Sequence, residues 1–407
     1  MATIFLLIIY MSFISLGLPD SLLGVAWPVM RPGFGLPLEA AGAVSMTIAV
    51  GTILSSLVSG HATKLLGTGK VVLGSCILTA GALMGYSLAP GFGWVVALAV
   101  PLGFGGGAVD AALNSYVAAH YKAHHMSWLH SFWGVGATLG PVVMAAAMGS
   151  EGNWRMGYRA TSLIQFGLVL VLLLSLPLWA KMEKLHHKRR EAAGLAEAGD
   201  GLQDQGTAAK GPLQVPGVKF ALASFLFYCG AETTMGLWGS SFLVQTRGLA
   251  PETAARWVSF YYGGIMLGRF LTGFLTFQVS SRRLVRAGQA VAILGAAALL
   301  LPLPPVLLMG SFVLMGLGYA PVFPGMIHET PRLFGWEHSP KIIGYQMAFA
   351  YVGVTFFPPL FGWIAARTDL AAMPVFLLAC LGGLAASQLR LSFIDGGRNG
   401  NAGARHH

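Results

Sequence analysis

Three carboxylic acids stand in stretches that are otherwise uncharged: Asp20 in Gly17-Leu18-Pro19-Asp20-Ser21-Leu22, Asp110 after Gly103-Phe104-Gly105-Gly106-Gly107, and Glu232 in Tyr228-Cys229-Gly230-Ala231-Glu232. An acid in such apolar surroundings persists when it faces a cavity, finds a partner or takes up a proton, so the chemistry to expect is reversible proton binding. Asn114 follows Asp110 by four residues, which sets a carboxylate and a bidentate amide on one helix face. His130 and Trp133, in Leu129-His130-Ser131-Phe132-Trp133-Gly134, add a proton or hydroxyl acceptor and an indole able to stack on a sugar ring. Packing between helices is an equally good use of both. Trp238, within two turns of Glu232, and the amide of Gln346 are further cavity candidates; an interfacial or packing role fits them as well.

The elements carrying these groups are membrane helices. Of 407 residues, 55% are apolar and 10% charged, against about 25% charged in soluble domains. A span needs about 20 apolar residues. That length yields twelve segments, beginning near residues 3, 39, 70, 94, 127, 158, 216, 252, 281, 305, 341 and 372. The first is too long for a signal-peptide core and has no basic stretch ahead of it, so it reads as a retained helix. Of the 25 Lys and Arg residues, all but Arg31, Arg155, Arg159, Arg247, Arg256 and Arg367 fall on the side of the N-terminus, Arg269 being counted there at the end of the eighth span. By the positive-inside rule both termini are expected in the cytoplasm of a multi-pass protein of the cell (inner) membrane. The formal charge of +10 is then explained by topology and anionic lipid, with no call for nucleic acid.

Lys181 to Pro216 is charged and glycine-containing, with too little apolar surface to pack or span. It divides the chain into an N-terminal half (1–180), a cytoplasmic linker (181–215), a C-terminal half (216–393) and a tail (394–407). The halves echo each other. Gly51, Gly60 and Lys70 match Gly264, Gly273 and Arg283 at the same spacings, and Gly136-x4-Pro141 matches Gly353-x4-Pro358. The expected fold is an all-α membrane protein of twelve transmembrane helices in two pseudo-symmetric six-helix halves, with a solute site near the midplane. Cys76, Cys229 and Cys380 lie singly within spans, which predicts neither a disulfide nor a metal site, and no cofactor is expected. An enzyme would need a nucleophile with its base or a ligand cluster; neither His-Glu-x-x-His nor Gly-x-Ser-x-Gly occurs.

Asp20-x-Leu, the Asp110-x3-Asn114 pair and the fifth-helix Leu-His-x-Phe-x3-Gly-Ala resemble the fucose–proton symporter family within the major facilitator superfamily. The likeness covers the layout of all twelve helices and is motif-level in helices 1, 4 and 5. It implies sugar recognition and proton coupling for Asp20 and Asp110, and a monomer. That family's fifth-helix sites are commonly Gln and Asn where this chain has His130 and Trp133, so a polyhydroxylated solute is implied without naming fucose. The resulting expectation is a secondary transporter of a sugar-like solute, driven by a proton or sodium. Asp20, Asp110 and Glu232 are its proton sites, and Asp20, Asp110, Asn114, His130, Trp133, Trp238 and Gln346 its substrate contacts. The alternative is a proton-coupled exporter of drugs or metabolites on the same fold.

Overall fold

The computed structural model describes residues 2–121, 123–151, 153–192, 214–335 and 339–403. They form fourteen α-helices and, among the described residues, no strand: α1 (Ala2–Asp20), α2 (Leu22–Gly33), α3 (Ala40–Leu66), α4 (Thr68–Leu88), α5 (Phe92–His120), α6 (Ala123–Glu151), α7 (Trp154–Ala192), α8 (Val218–Arg247), α9 (Pro251–Leu275), α10 (Ser281–Ala298), α11 (Pro305–Tyr319), α12 (Val322–Phe334), α13 (Ser339–Arg367) and α14 (Met373–Gly403). Helices α1 and α2 are one span broken at Ser21, and α11 and α12 another, which leaves the twelve spans expected. Ten of the twelve are long and apolar enough to cross a bilayer on those grounds alone. The other two, α9 and α10, carry Arg256 and Arg269, and Arg282, Arg283 and Arg286. The linker expected from 181 begins as a continuation of α7 to Ala192, and 193–213 lie outside the described residues. The tail expected from 394 continues α14 to Gly403.

The pseudo-symmetry is visible in the packing. In the first half α1 packs on α6, α3 on α5, and α4 on α5 and α7; in the second half α8 packs on α13, α9 on α11, and α10 on α11 and α14. Repeated glycines mark equivalent crossings. A Cβ on Gly136 would meet the Ile14 carbonyl across α6/α1, and one on Gly353 the Leu226 carbonyl across α13/α8. Gly51 and Gly264 do the same at α3/α5 and α9/α11. Without a side chain the backbones approach closely, which supplies packing in a solvent where apolar surface gains nothing by burial.

The halves meet mainly along three seams, α6 with α9, α3 with α13, and α2 with α8, and α2 also touches α9. The apolar core shows where they are tight. The largest cluster joins the two halves at the end holding Trp27, Trp154, Trp238 and Trp257, and continues within the second half as far as Val285 and Met326. At the end holding the N-terminus the core divides into one cluster within the first half, around Phe5, Tyr116 and Trp179, and another within the second, around Leu222, Phe334 and Leu391. The halves are thus sealed at one end and parted at the other.

Candidate functional site

The parting exposes Asp20, the last residue of α1, although it lies midway along a span. Pro19 precedes it and the helix breaks at Ser21, whose hydroxyl donates to the Ala137 carbonyl of α6 at 3.0 Å. The break and this tie hold Asp20 against α6. There the indole Nε1 of Trp133 donates to Asp20 Oδ2 at 2.7 Å, the short length of a charge-assisted bond.

Trp133 meets the second half on its other side. The guanidinium carbon of Arg269, from α9, lies 5.4 Å from the centre of the indole, within cation–π range. Tyr262, about two turns before Arg269 on α9, meets the same indole edge-on at 6.4 Å. Arg269 in turn pairs with Glu232 of α8, Nη2 to Oε1 at 3.5 Å, both side chains being largely buried. The Tyr261 hydroxyl donates to the Glu232 carbonyl at 3.1 Å. Asp20, Trp133, Arg269 and Glu232 therefore form a continuous chain of polar contacts from one half to the other.

Asp110 and Asn114 share a face of α5, as their spacing requires: Asn114 Nδ2 donates to Asp110 Oδ1 at 2.8 Å and to the Asp110 carbonyl at 3.0 Å. Asp110 lies within electrostatic reach of Asp20 and of Tyr351 on α13. His130 is one turn before Trp133 on α6, with its ring edge-on to Phe13 of α1 at 5.7 Å. The structure therefore brings Asp20, Asp110, Asn114, His130, Trp133 and Glu232 to one region between the halves.

Two expected cavity residues are elsewhere, and their placement is corrected. Trp238 is fully buried between α8 and α13, its Nε1 donating to the Pro358 carbonyl at 2.8 Å. Gln346 is buried inside the second half, bonded to Thr330 in both directions at 3.0 and 3.1 Å. It lines a pocket with Arg282, Arg286 and Glu329 whose residues include none of Asp20, Trp133, Arg269 and Glu232. Neither polar group is free to meet a solute. A third correction concerns Arg269, counted among the basic residues at the helix ends: its guanidinium is the cation of the inter-half site. Six residues separate it from the end of α9, about 9 Å along a helix. The signal available in the sequence was Glu232, an acid in an uncharged stretch that needs a partner. Glu329 accepts from Arg332 at 2.8 Å, and Arg332 and Arg282 converge on Asp395.

Among the described residues no group of His, Cys, Asp and Glu could hold a metal. The three cysteines are free and buried.

Comparison with known proteins places this geometry. The family model described as the Major Facilitator Superfamily matches residues 9–215 and 220–403. The glucose/mannose transporter GlcP of Bacillus subtilis (strain 168) is 24% identical over 287 residues, covering 70% of this chain and 69% of the relative. Among solved structures, the nucleoside transporter NupG superposes with a TM-score of 0.73 at 14% identity, covering 95% of this chain and 98% of that one. A D-xylose–proton symporter superposes with a TM-score of 0.67 at 13% identity, covering 95% and 96%. At those identities the two structures share the fold alone.

Proposed function

Since the chain belongs to the Major Facilitator Superfamily, and is thereby a membrane transporter and not an enzyme, we propose that it moves a sugar or similar polyhydroxylated solute by alternating access, in symport with a proton. The observation that carries this reading is the Asp20–Trp133 contact in the parting between the halves. An acid that can bond hydroxyls beside an indole that can cover the apolar face of a pyranose is the pairing a sugar site needs. The likeness to a glucose/mannose transporter supports a hexose.

Asp20 and Asp110 are our candidates for the proton carriers: among the described residues neither is in an ion pair. Glu232, expected as a third proton site, is assigned to holding Arg269. Asn114 fixes the Asp110 carboxyl, and His130 and Trp133 line the solute side. The distribution of basic residues assigns the parted end to the cytoplasm, so the conformation is inward-open. The residues of the proposed site all come from one chain, in keeping with a monomer as the working unit.

The test is solute-triggered proton uptake in proteoliposomes, with a panel of hexoses and pentoses, comparing the native chain with Asp20→Asn and Asp110→Asn. The expected result is a sugar-dependent pH change that both substitutions abolish, with sugar exchange at equilibrium retained by at least one of them. Sugar accumulation without proton movement replaces symport by uniport or sodium coupling. No response to any sugar overturns the reading in favour of an exporter of drugs or metabolites.

A further inference from the structure

Among the described residues Arg269 makes one ion-pair contact, to Glu232 Oε1 at 3.5 Å, the long limit of a hydrogen bond. At the same time its guanidinium lies over the ring of Trp133. A guanidinium has five N–H donors in a planar fork and pairs best with a carboxylate two bonds at a time. That of Arg269 lies between the polar group of Glu232, with Tyr228 beside it, and the indole of Trp133, and its contact with the carboxylate is a single long one. The ring it covers is the aromatic surface adjoining Asp20, whose carboxylate is fixed in the indole plane by the Nε1 bond.

We propose that Arg269 is a specificity-determining latch: it occupies the face of Trp133 that a solute ring needs, and the solute binds by displacing it onto Glu232. The inference rests on the sugar reading above. Displacement exchanges a cation–π contact for a shorter, two-bonded pair with Glu232, while the C–H face of the pyranose takes over the indole and its hydroxyls reach Asp20. Because Trp133 belongs to the first half and Arg269 to the second, the same step removes a contact across the α6/α9 seam. Solute binding thereby loosens one of the links that hold the halves in this conformation. Glu232 is then the receiving acid, a positioning residue that does not itself touch the solute.

This arrangement gives two substitutions of opposite sign. In Glu232→Gln the receiving acid is gone, Arg269 stays on the indole, and hexose affinity falls by about tenfold. In the paired Arg269→Gln/Glu232→Gln variant no charge is left unpartnered and the ring is free, so affinity rises by about tenfold. The experiment is calorimetric titration of the purified full-length chain in nanodiscs with D-glucose and D-mannose at one fixed pH. A gain in affinity cannot come from misfolding. Should the paired variant fail to fold, Arg269→Lys keeps the charge but replaces the flat guanidinium by an ammonium, and is expected to bind about threefold tighter. Weaker binding by the paired variant, or a shift of the same sign in both variants, overturns the latch. If the native chain binds neither hexose, the sugar reading itself falls and takes the displacing ring with it, a result distinct from hexose binding with the wrong signs.

Discussion

Trp133 does two things that a different aromatic residue would not do together: it offers a ring to the second half and an N–H to Asp20. Trp133→Phe separates them. The ring remains and the donor goes, leaving Asp20 without its short bond; a hydrogen bond to a charged group contributes about 1.5–3 kcal/mol. Solute affinity in Trp133→Phe is therefore expected to drop about tenfold. Asp20→Asn should cost less on top of it than in the native chain, since the Trp133 bond is already gone while the contact to solute hydroxyls is still lost, a double-substitution cycle in the same binding assay being the check. The individual acids, the Asp110–Asn114 pair and Trp133 were legible in the sequence, because an ionisable group in an apolar span has few reasons to be there. The partnership of Asp20 with Trp133 was not, since it joins residues 113 positions apart and depends on how α1 and α6 are rotated about their axes. Arg269 was hidden by the rule that places basic residues at helix ends. Trp238 misled for another reason: α8 is buried on nearly every side, so no amphipathic stripe tells which of its faces meets the cavity; Gln346, on α13, misled because its partner Thr330 lies on another helix.

At the scale of elements, the pattern of glycines carried more information than any single helix. Those at positions 51, 136, 264 and 353 sit where backbones cross, whereas Gly60 and Gly273, members of the same repeat, have open space around them. The two groups should respond oppositely to substitution. A side chain at Gly136 meets the Ile14 carbonyl and the Leu18 amide, the latter at 2.9 Å from the first added carbon. Gly136→Val forces α6 away from α1, at a cost on the order of 1–3 kcal/mol or more. We expect a fall of several degrees in the melting temperature of the purified protein, while Gly60→Ala leaves it unchanged or slightly raised. The repeat itself was legible because equal spacings need no knowledge of rotation. The break at Ser21 was not, since Pro19 alone is compatible with a kinked but continuous helix. That break is what lets Asp20 end a helix in the middle of a span.

For the whole molecule, the division of the core at one end and its continuity at the other define which side reaches the site. A cysteine placed at position 20 should react with a membrane-impermeant maleimide applied from the side of the termini and be protected from the other side. The native thiols are all buried, so background labelling is low. A solute that stabilises this conformation should leave the asymmetry in place and slow the reaction by occupying the cavity. The twelve-span layout and its two halves were legible from length and apolarity; the conformational state was not, because both facing states are built from the same helices.

The sealed end has a thermodynamic consequence. The apolar cluster shared by the halves there includes Trp27, Tyr86, Trp154, Trp238 and Trp257, and opening that end to water must hydrate part of it. Hydration of apolar surface carries a positive heat-capacity change and grows less unfavourable on cooling. The balance between the two facing states should therefore drift with temperature along a curve rather than a line. Cooling moves the population away from the conformation described here, and the labelling rate at position 20, followed from 4 to about 40 °C, should bend accordingly when plotted against inverse temperature.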